Sequence, residues 1–78
     1  MKLIELLRAL DTYTYVRIAC FDYTNNDTEK YIIAGETTLR GYTKLLQEIN
    51  SIHFAHAKVT QIYCLWHTQE LYIECAKW

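Results

Sequence analysis

The chain has 78 residues, enough for one compact domain and too few for two. Apolar residues make up 51% of it against 22% charged, which excludes intrinsic disorder and supplies the material for a packed core. Eight Lys and Arg against nine Asp and Glu leave a formal charge of −1, so no positive surplus exists to neutralise phosphates, and a general nucleic-acid binder is disfavoured. A domain this small buries only about 60% of its unfolded surface. With seven tyrosines, two tryptophans and two phenylalanines, a dense aromatic core or a dimer contact is expected to supply the missing stability.

Met1-Lys2-Leu3-Ile4-Glu5-Leu6-Leu7-Arg8 interrupts its apolar residues with charge every few positions, so it does not read as a signal peptide. No run of 18 apolar residues occurs, and a soluble, cytoplasmic protein is expected. Leu3, Leu6, Leu7 and Leu10 instead form one apolar stripe at helical spacing, ended by Asp11-Thr12. Over residues 13–22 the period becomes two, with Val16, Ile18 and Cys20 on one side and Tyr15, Arg17, Ala19 and Phe21 on the other: a strand. Thr24-Asn25-Asn26-Asp27 is a turn cluster, and residues 30–34 follow as a second strand. Setting Tyr23 against Thr28 places Ile18 opposite Ile33 and Cys20 opposite Tyr31.

Gly35 closes that hairpin, and Thr37 or Thr38 caps a helix carrying Leu39, Tyr42, Leu45, Leu46 and Ile49 on its apolar face. Gly41 within it costs about 1 kcal/mol relative to Ala, which points to close packing on the sheet or a late helix start. Asn50-Ser51 ends the helix, an irregular stretch runs through His53 and His56, and residues 58–66 and 70–77 form a second hairpin around His67-Thr68-Gln69. Trp66 opposite Leu71 would set Ile62 across from Cys75 and Cys64 beside Ile73. The order α-β-β-α-β-β fits an α+β two-layer sandwich in a single domain, with an antiparallel sheet and both helices on one face. Its expected core is Leu3, Leu6, Leu7, Val16, Ile18, Ile33, Leu46, Ile49, Ile62 and Ile73.

The face opposite that core would carry Tyr15, Arg17, Phe21, Lys30 and Ile32 from the first hairpin and Val59, Gln61, Tyr63, Leu65, Tyr72, Glu74 and Trp78 from the second. Solvent-facing sheet ordinarily alternates to polar residues, whereas this face is aromatic and aliphatic, the composition of a partner-binding surface. The competing reading is that a curled sheet or residues 51–57 cover part of it.

Lys2-Leu3-Ile4-Glu5-Leu6-Leu7, Leu10-Asp11 and Thr14-Tyr15-Val16-Arg17-Ile18 together resemble the opening of short α+β proteins encoded by phages, plasmids and integrative elements of Gram-positive bacteria, in which a Leu-rich helix leads directly into a strand. Val59, Ile62-Tyr63 and Leu71-Tyr72-Ile73 resemble their closing hairpin. Residues 50–57, Trp66-His67 and Trp78 depart from that pattern. Some small proteins of this genomic type bind and block host defence machinery, anti-CRISPR proteins among them, so the resemblance implies an anti-defence inhibitor.

His53-x2-His56 and Cys64-x2-His67 supply four nitrogen and sulfur ligands, the number tetrahedral zinc takes. A zinc knuckle presents each pair from a tight turn, whereas Cys64 falls within a strand and His67 at its turn, so no metal is expected. The odd cysteine count favours free thiols, with Cys20, Cys64 and Cys75 all placed on the core face. Neither His53 with Glu48 nor Cys20 with His56 forms a catalytic motif, and the chain lacks a phosphate loop, HExxH and GxSxG. The expectation is a non-catalytic interaction protein without a cofactor, acting by steric occlusion of a host protein, with Tyr15, Phe21, Tyr63, Tyr72 and Trp78 as anchors. The alternatives on the same face are single-stranded nucleic acid stacked on tyrosines, a small ligand, or a homodimer.

Overall fold

The computed structural model describes residues 1–10, 15–24, 29–37, 39–65 and 70–78. Its elements are α1 (Leu3–Ala9), β1 (Tyr15–Asp22), β2 (Glu29–Glu36), α2 (Leu39–Ser51), β3 (Lys58–Leu65) and β4 (Glu70–Lys77), an α+β fold in the order the periodicity predicts. The turn residues Asn25, Asn26 and Asp27, the Thr38 cap, and Trp66 with His67 lie outside the described residues, as do the side chains of Leu39 and Leu65.

The sheet is not antiparallel throughout. Its order is β2-β1-β4-β3, with both hairpins antiparallel but the central pair, β1 and β4, parallel. Residue patterns fix pairing within a hairpin, where a short turn dictates direction, but not how two hairpins meet. The first hairpin has the expected register, Ile18 opposite Ile33 and Cys20 opposite Tyr31. The second is shifted by two residues from expectation: Ile62 faces Ile73, Tyr63 faces Tyr72 and Cys64 faces Leu71. A shift of two leaves every side chain on its own face, so alternation alone cannot distinguish the registers.

Val16, Ile18 and Cys20 of β1, Ile33 of β2, and Ile73 and Cys75 of β4 point to one side of the sheet, its inner face. They join Leu3, Leu6 and Leu7 of α1 and Leu45 and Ile49 of α2 in a single buried cluster. Within α2 the buried place belongs to Leu45, not Leu46, which is only half-buried. Tyr42, Leu45 and Ile49 follow i, i+3, i+7 toward the sheet, and the next residue after Leu45 is turned about 100° round the helix axis. Gly41 is required by a close approach: a Cβ there would sit 2.6 Å from the Glu36 carbonyl oxygen at the end of β2. The close-packing reason for this glycine therefore applies.

Residues 52–57 do more than connect. Phe54 is completely buried in the core cluster, and Ala57 is buried beside it, so this segment packs on the inner face rather than over the outer one. The Leu3 and Ile4 amides donate to the carbonyls of Ala57 and Ala55, each at 2.9 Å, giving partners to N–H groups that a helix start leaves free. The Lys2 amide donates to Glu5 Oε1 at 3.2 Å, one half of a capping box.

Two inner-face expectations fail on β3. Ile62 is 46% exposed and Cys64 is exposed: β3 is an edge strand, and neither residue joins the buried cluster. Val59 also changes sides. The register shifts between Val59 and Gln61, placing Val59 opposite Cys75 and against the core instead of outward. A bulge adds one residue to one strand, and alternation counted through it inverts.

Candidate interaction surface

The β1–β4 register aligns Tyr15, Arg17, Ala19 and Phe21 with Glu70, Tyr72, Glu74 and Ala76 on the outer face. Lys30, Ile32, Ala34 and Glu36 flank them on β2, and Gln61 and Tyr63 on β3. Continuing the alternation past the strand ends adds Tyr23 and Trp78, tied together by the Tyr23 amide donating to the Lys77 carbonyl at 2.9 Å. Five large side chains on this face are exposed: Trp78 at 71%, Ile32 at 59%, Tyr15 at 54%, Tyr63 at 45% and Tyr23 at 44%.

Of the five anchors expected from sequence, Tyr15, Tyr63 and Trp78 stand exposed, while Phe21 and Tyr72 are half-buried. Tyr63 and Tyr72 stack with centroids 4.7 Å apart and planes at 25°. Phe21, Tyr23 and Trp78 form a separate row, with centroid spacings of 6.2 Å and 6.0 Å, and Lys30 Nζ lies 5.4 Å from the Phe21 centroid. Between these groups Ala19 and Ala76 are buried, so small residues form the floor of the face and aromatic side chains rise around it. Sequence reading set Tyr23 opposite Thr28 at the end of the hairpin without counting it on this face; extending the period of two by one step from Phe21 finds it.

The polar groups of this face are largely satisfied within the chain. A hydrogen bond to Glu36, followed by that carboxylate's charge, raises the Tyr15 phenol above its ordinary pKa. Burial raises Tyr72, with Glu74 and Tyr63 contributing in turn. Arg17 Nε lies 3.2 Å from Glu70 Oε2, a partly exposed ion pair of small energetic weight. Three carboxylates, Glu36, Glu70 and Glu74, thus share the face with three cations, Arg17, Lys30 and Lys58. What the arrangement offers is open ring surface with fixed orientation.

The remaining chemistry is scattered. His53 and His56 are exposed after α2, Cys64 is exposed on β3, and His67 lies outside the described residues; among the described residues no three His, Cys, Asp or Glu gather where they could hold a metal ion. Cys20 and Cys75 are register partners on the central strands, both fully buried, with sulfurs 3.6 Å apart. The contact with Cys75, reinforced by burial, pushes the Cys20 thiol far above the ordinary cysteine range. A cleft of about 210 Å³ between β2 and α2, lined by Gly35, Glu36, Gly41, Lys44 and Glu48 among others, is smaller than the usual ligand pocket. No described helix is long and apolar enough to cross a membrane. Comparison with protein families, with curated proteins and with solved structures finds no match.

Proposed function

We propose that the protein is a non-catalytic binding module whose outer sheet face covers a surface on a partner protein. Both helices give their buried residues to the core cluster, and we read them as lying together on the inner side, leaving the outer side open as a two-layer sandwich. The observation that carries the reading is the set of five exposed large side chains on that face, standing around a floor of buried alanines. Aromatic side chains of this kind dominate binding energy because they bury much area at little entropic cost. The resemblance of the α1–β1 junction to small proteins of phages and integrative elements suggests the setting: a cytoplasmic inhibitor of host defence, anti-CRISPR-like, that acts by steric occlusion.

Nucleic acid is the weaker occupant. The stacked rings would suit bases, but Glu36, Glu70 and Glu74 balance Arg17, Lys30 and Lys58 on the same face, which leaves no positive surplus for phosphate. The test is co-purification from a bacterial host, followed by affinity measurement with the isolated partner. Tyr63→Ala and Trp78→Ala should each weaken binding by about 2 kcal/mol, and a rise in salt should change it little. Binding that collapses with salt and releases on nuclease treatment would transfer the face to nucleic acid. Affinity unchanged by either substitution would refute the assignment.

A further inference from the structure

The free edge of β3 is a second surface, independent of the outer face. Strand β3 ends the sheet, so one row of its backbone N–H and C=O groups points away from β4. The first part of that row is occupied: Val59 N–H donates to the Met1 carbonyl and Leu3 N–H to the Ala57 carbonyl, each at 2.9 Å, around an antiparallel bridge between Lys2 and Lys58. The N-terminal residues therefore act as a short guard strand. Beyond the irregularity after Val59, residues 60–65 have no strand on that side among the described residues.

The unguarded part of β3 is unusual for an edge. Residues 59–65 contain no charge and no proline, and consist of Val, Thr, Gln, Ile, Tyr, Cys and Leu. Soluble proteins keep such edges from pairing with charges, prolines or bulges, and here the irregularity near Thr60 is the single device of that kind, placed at the guarded end. The other edge, β2, carries Glu29, Lys30 and Glu36. On β3, side chains project exposed from both faces: Ile62 and Cys64 inward, Gln61 and Tyr63 outward.

We infer that residues 60–65 pair antiparallel with the same residues of a second copy, joining two four-stranded sheets into one of eight strands. Charge selects the occupant. Antiparallel self-pairing about a two-fold axis sets each residue against one from the same face of the same strand, and a segment without charge opposes no like charges in any such register. A two-fold axis normal to the sheet also keeps the inner faces of both copies on one side, so exposed Ile62 meets apolar inner-face residues of its neighbour. Pairing through β3 leaves the charged β2 edges outermost, which stops growth at the dimer.

Sedimentation across a dilution series tests this with the intact chain. The parent should dimerise, and Gln61→Lys and Ile62→Lys, one on each face, should both raise the dimer dissociation constant by about tenfold or more, since each places two like charges near the axis. Gln61 is exposed and outside the core cluster, so its variant should keep the parental fold by circular dichroism even if Ile62→Lys does not. Hydrogen exchange should show alternate amides of residues 60–65 protected at high concentration and released on dilution. Trp78→Ala should leave the dimer intact, which separates this edge from the outer-face assignment. A parent that is monomeric throughout, a dimer indifferent to Gln61→Lys, or one dispersed by Trp78→Ala would overturn the inference.

Discussion

Phe54 shows how one residue outside regular structure can anchor a small core. It follows α2, is fully buried, meets Tyr31 edge-on with centroids 6.0 Å apart, and has Lys77 Nζ 4.6 Å from its own centroid. The residue before it makes that placement. His53 adopts φ 61°, and its amide donates to the Asn50 carbonyl while Phe54 N–H donates to that of Ile49, a left-handed helix cap with its usual apolar contact between the residue after the cap and the last turn. Glycine suits that conformation better than histidine. His53→Gly should therefore stabilise the protein by about 0.5 to 1 kcal/mol in chemical denaturation, and a loss would show the imidazole to be needed. Phe54→Ala should cost about 3 to 5 kcal/mol and threaten folding altogether; a cost below 1 kcal/mol would mean the segment is not docked.

Among the elements, legibility followed periodicity. The stripes of α1 and α2, the alternation of β1 and the turn clusters between strands located all six elements, and β4 was placed at its observed bounds. Several things escaped it, each for a physical reason. The shift at Val59 inverted one residue's side, the two-residue slip of the second hairpin left no trace in alternation, and the far half of β3 is apolar inward without being covered. Phe54 was missed because its burial comes from a helix cap and not from a repeat. The exposure of Tyr15, Tyr63 and Trp78 was legible because they break the rule that a sheet's second face is polar. Gly41 allows a test at this scale. Gly41→Ala would gain about 1 kcal/mol from helix propensity alone. The Glu36 carbonyl 2.6 Å from the added methyl should reverse the sign, giving a net loss of about 1 to 3 kcal/mol in denaturation, whereas a net gain would show that α2 can move away from β2.

At the scale of the molecule, two hairpins meet through the parallel β1–β4 pair, and that seam holds both buried thiols and the ion pair of Lys77 with Asp22 at 3.7 Å. Asp22 also accepts from the Thr24 hydroxyl and amide; these bonds, and to a lesser degree Lys77, hold its carboxyl below the usual carboxylate range. A carboxyl lowered in the folded state contributes stability above its unfolded pKa and loses it as pH falls through the folded value. Tyr15 and Tyr31 are raised by hydrogen bonds to Glu36 and Glu29, and Tyr72 by burial, so these phenols contribute below pH 10 and lose their contribution as pH rises through the folded values. The contributions of these four groups should be constant between about pH 4 and 10, and tyrosinate absorbance should show three tyrosines ionising later in the folded protein than in denaturant. Titration curves that superimpose in the two states would contradict those contacts.

The proposed function requires the outer face to be surface held ready for a partner and not a second core. The unfolding free energy of a Tyr63→Ala/Trp78→Ala double variant, measured by chemical denaturation of the free protein, tests that most directly. Because Trp78 is 71% and Tyr63 45% exposed, with rings stacked on Tyr23 and Tyr72, the combined loss should stay below about 2 kcal/mol. A loss of about 6 kcal/mol, or outright unfolding, is what two buried aromatics would give, and it would return this face to the interior of the fold.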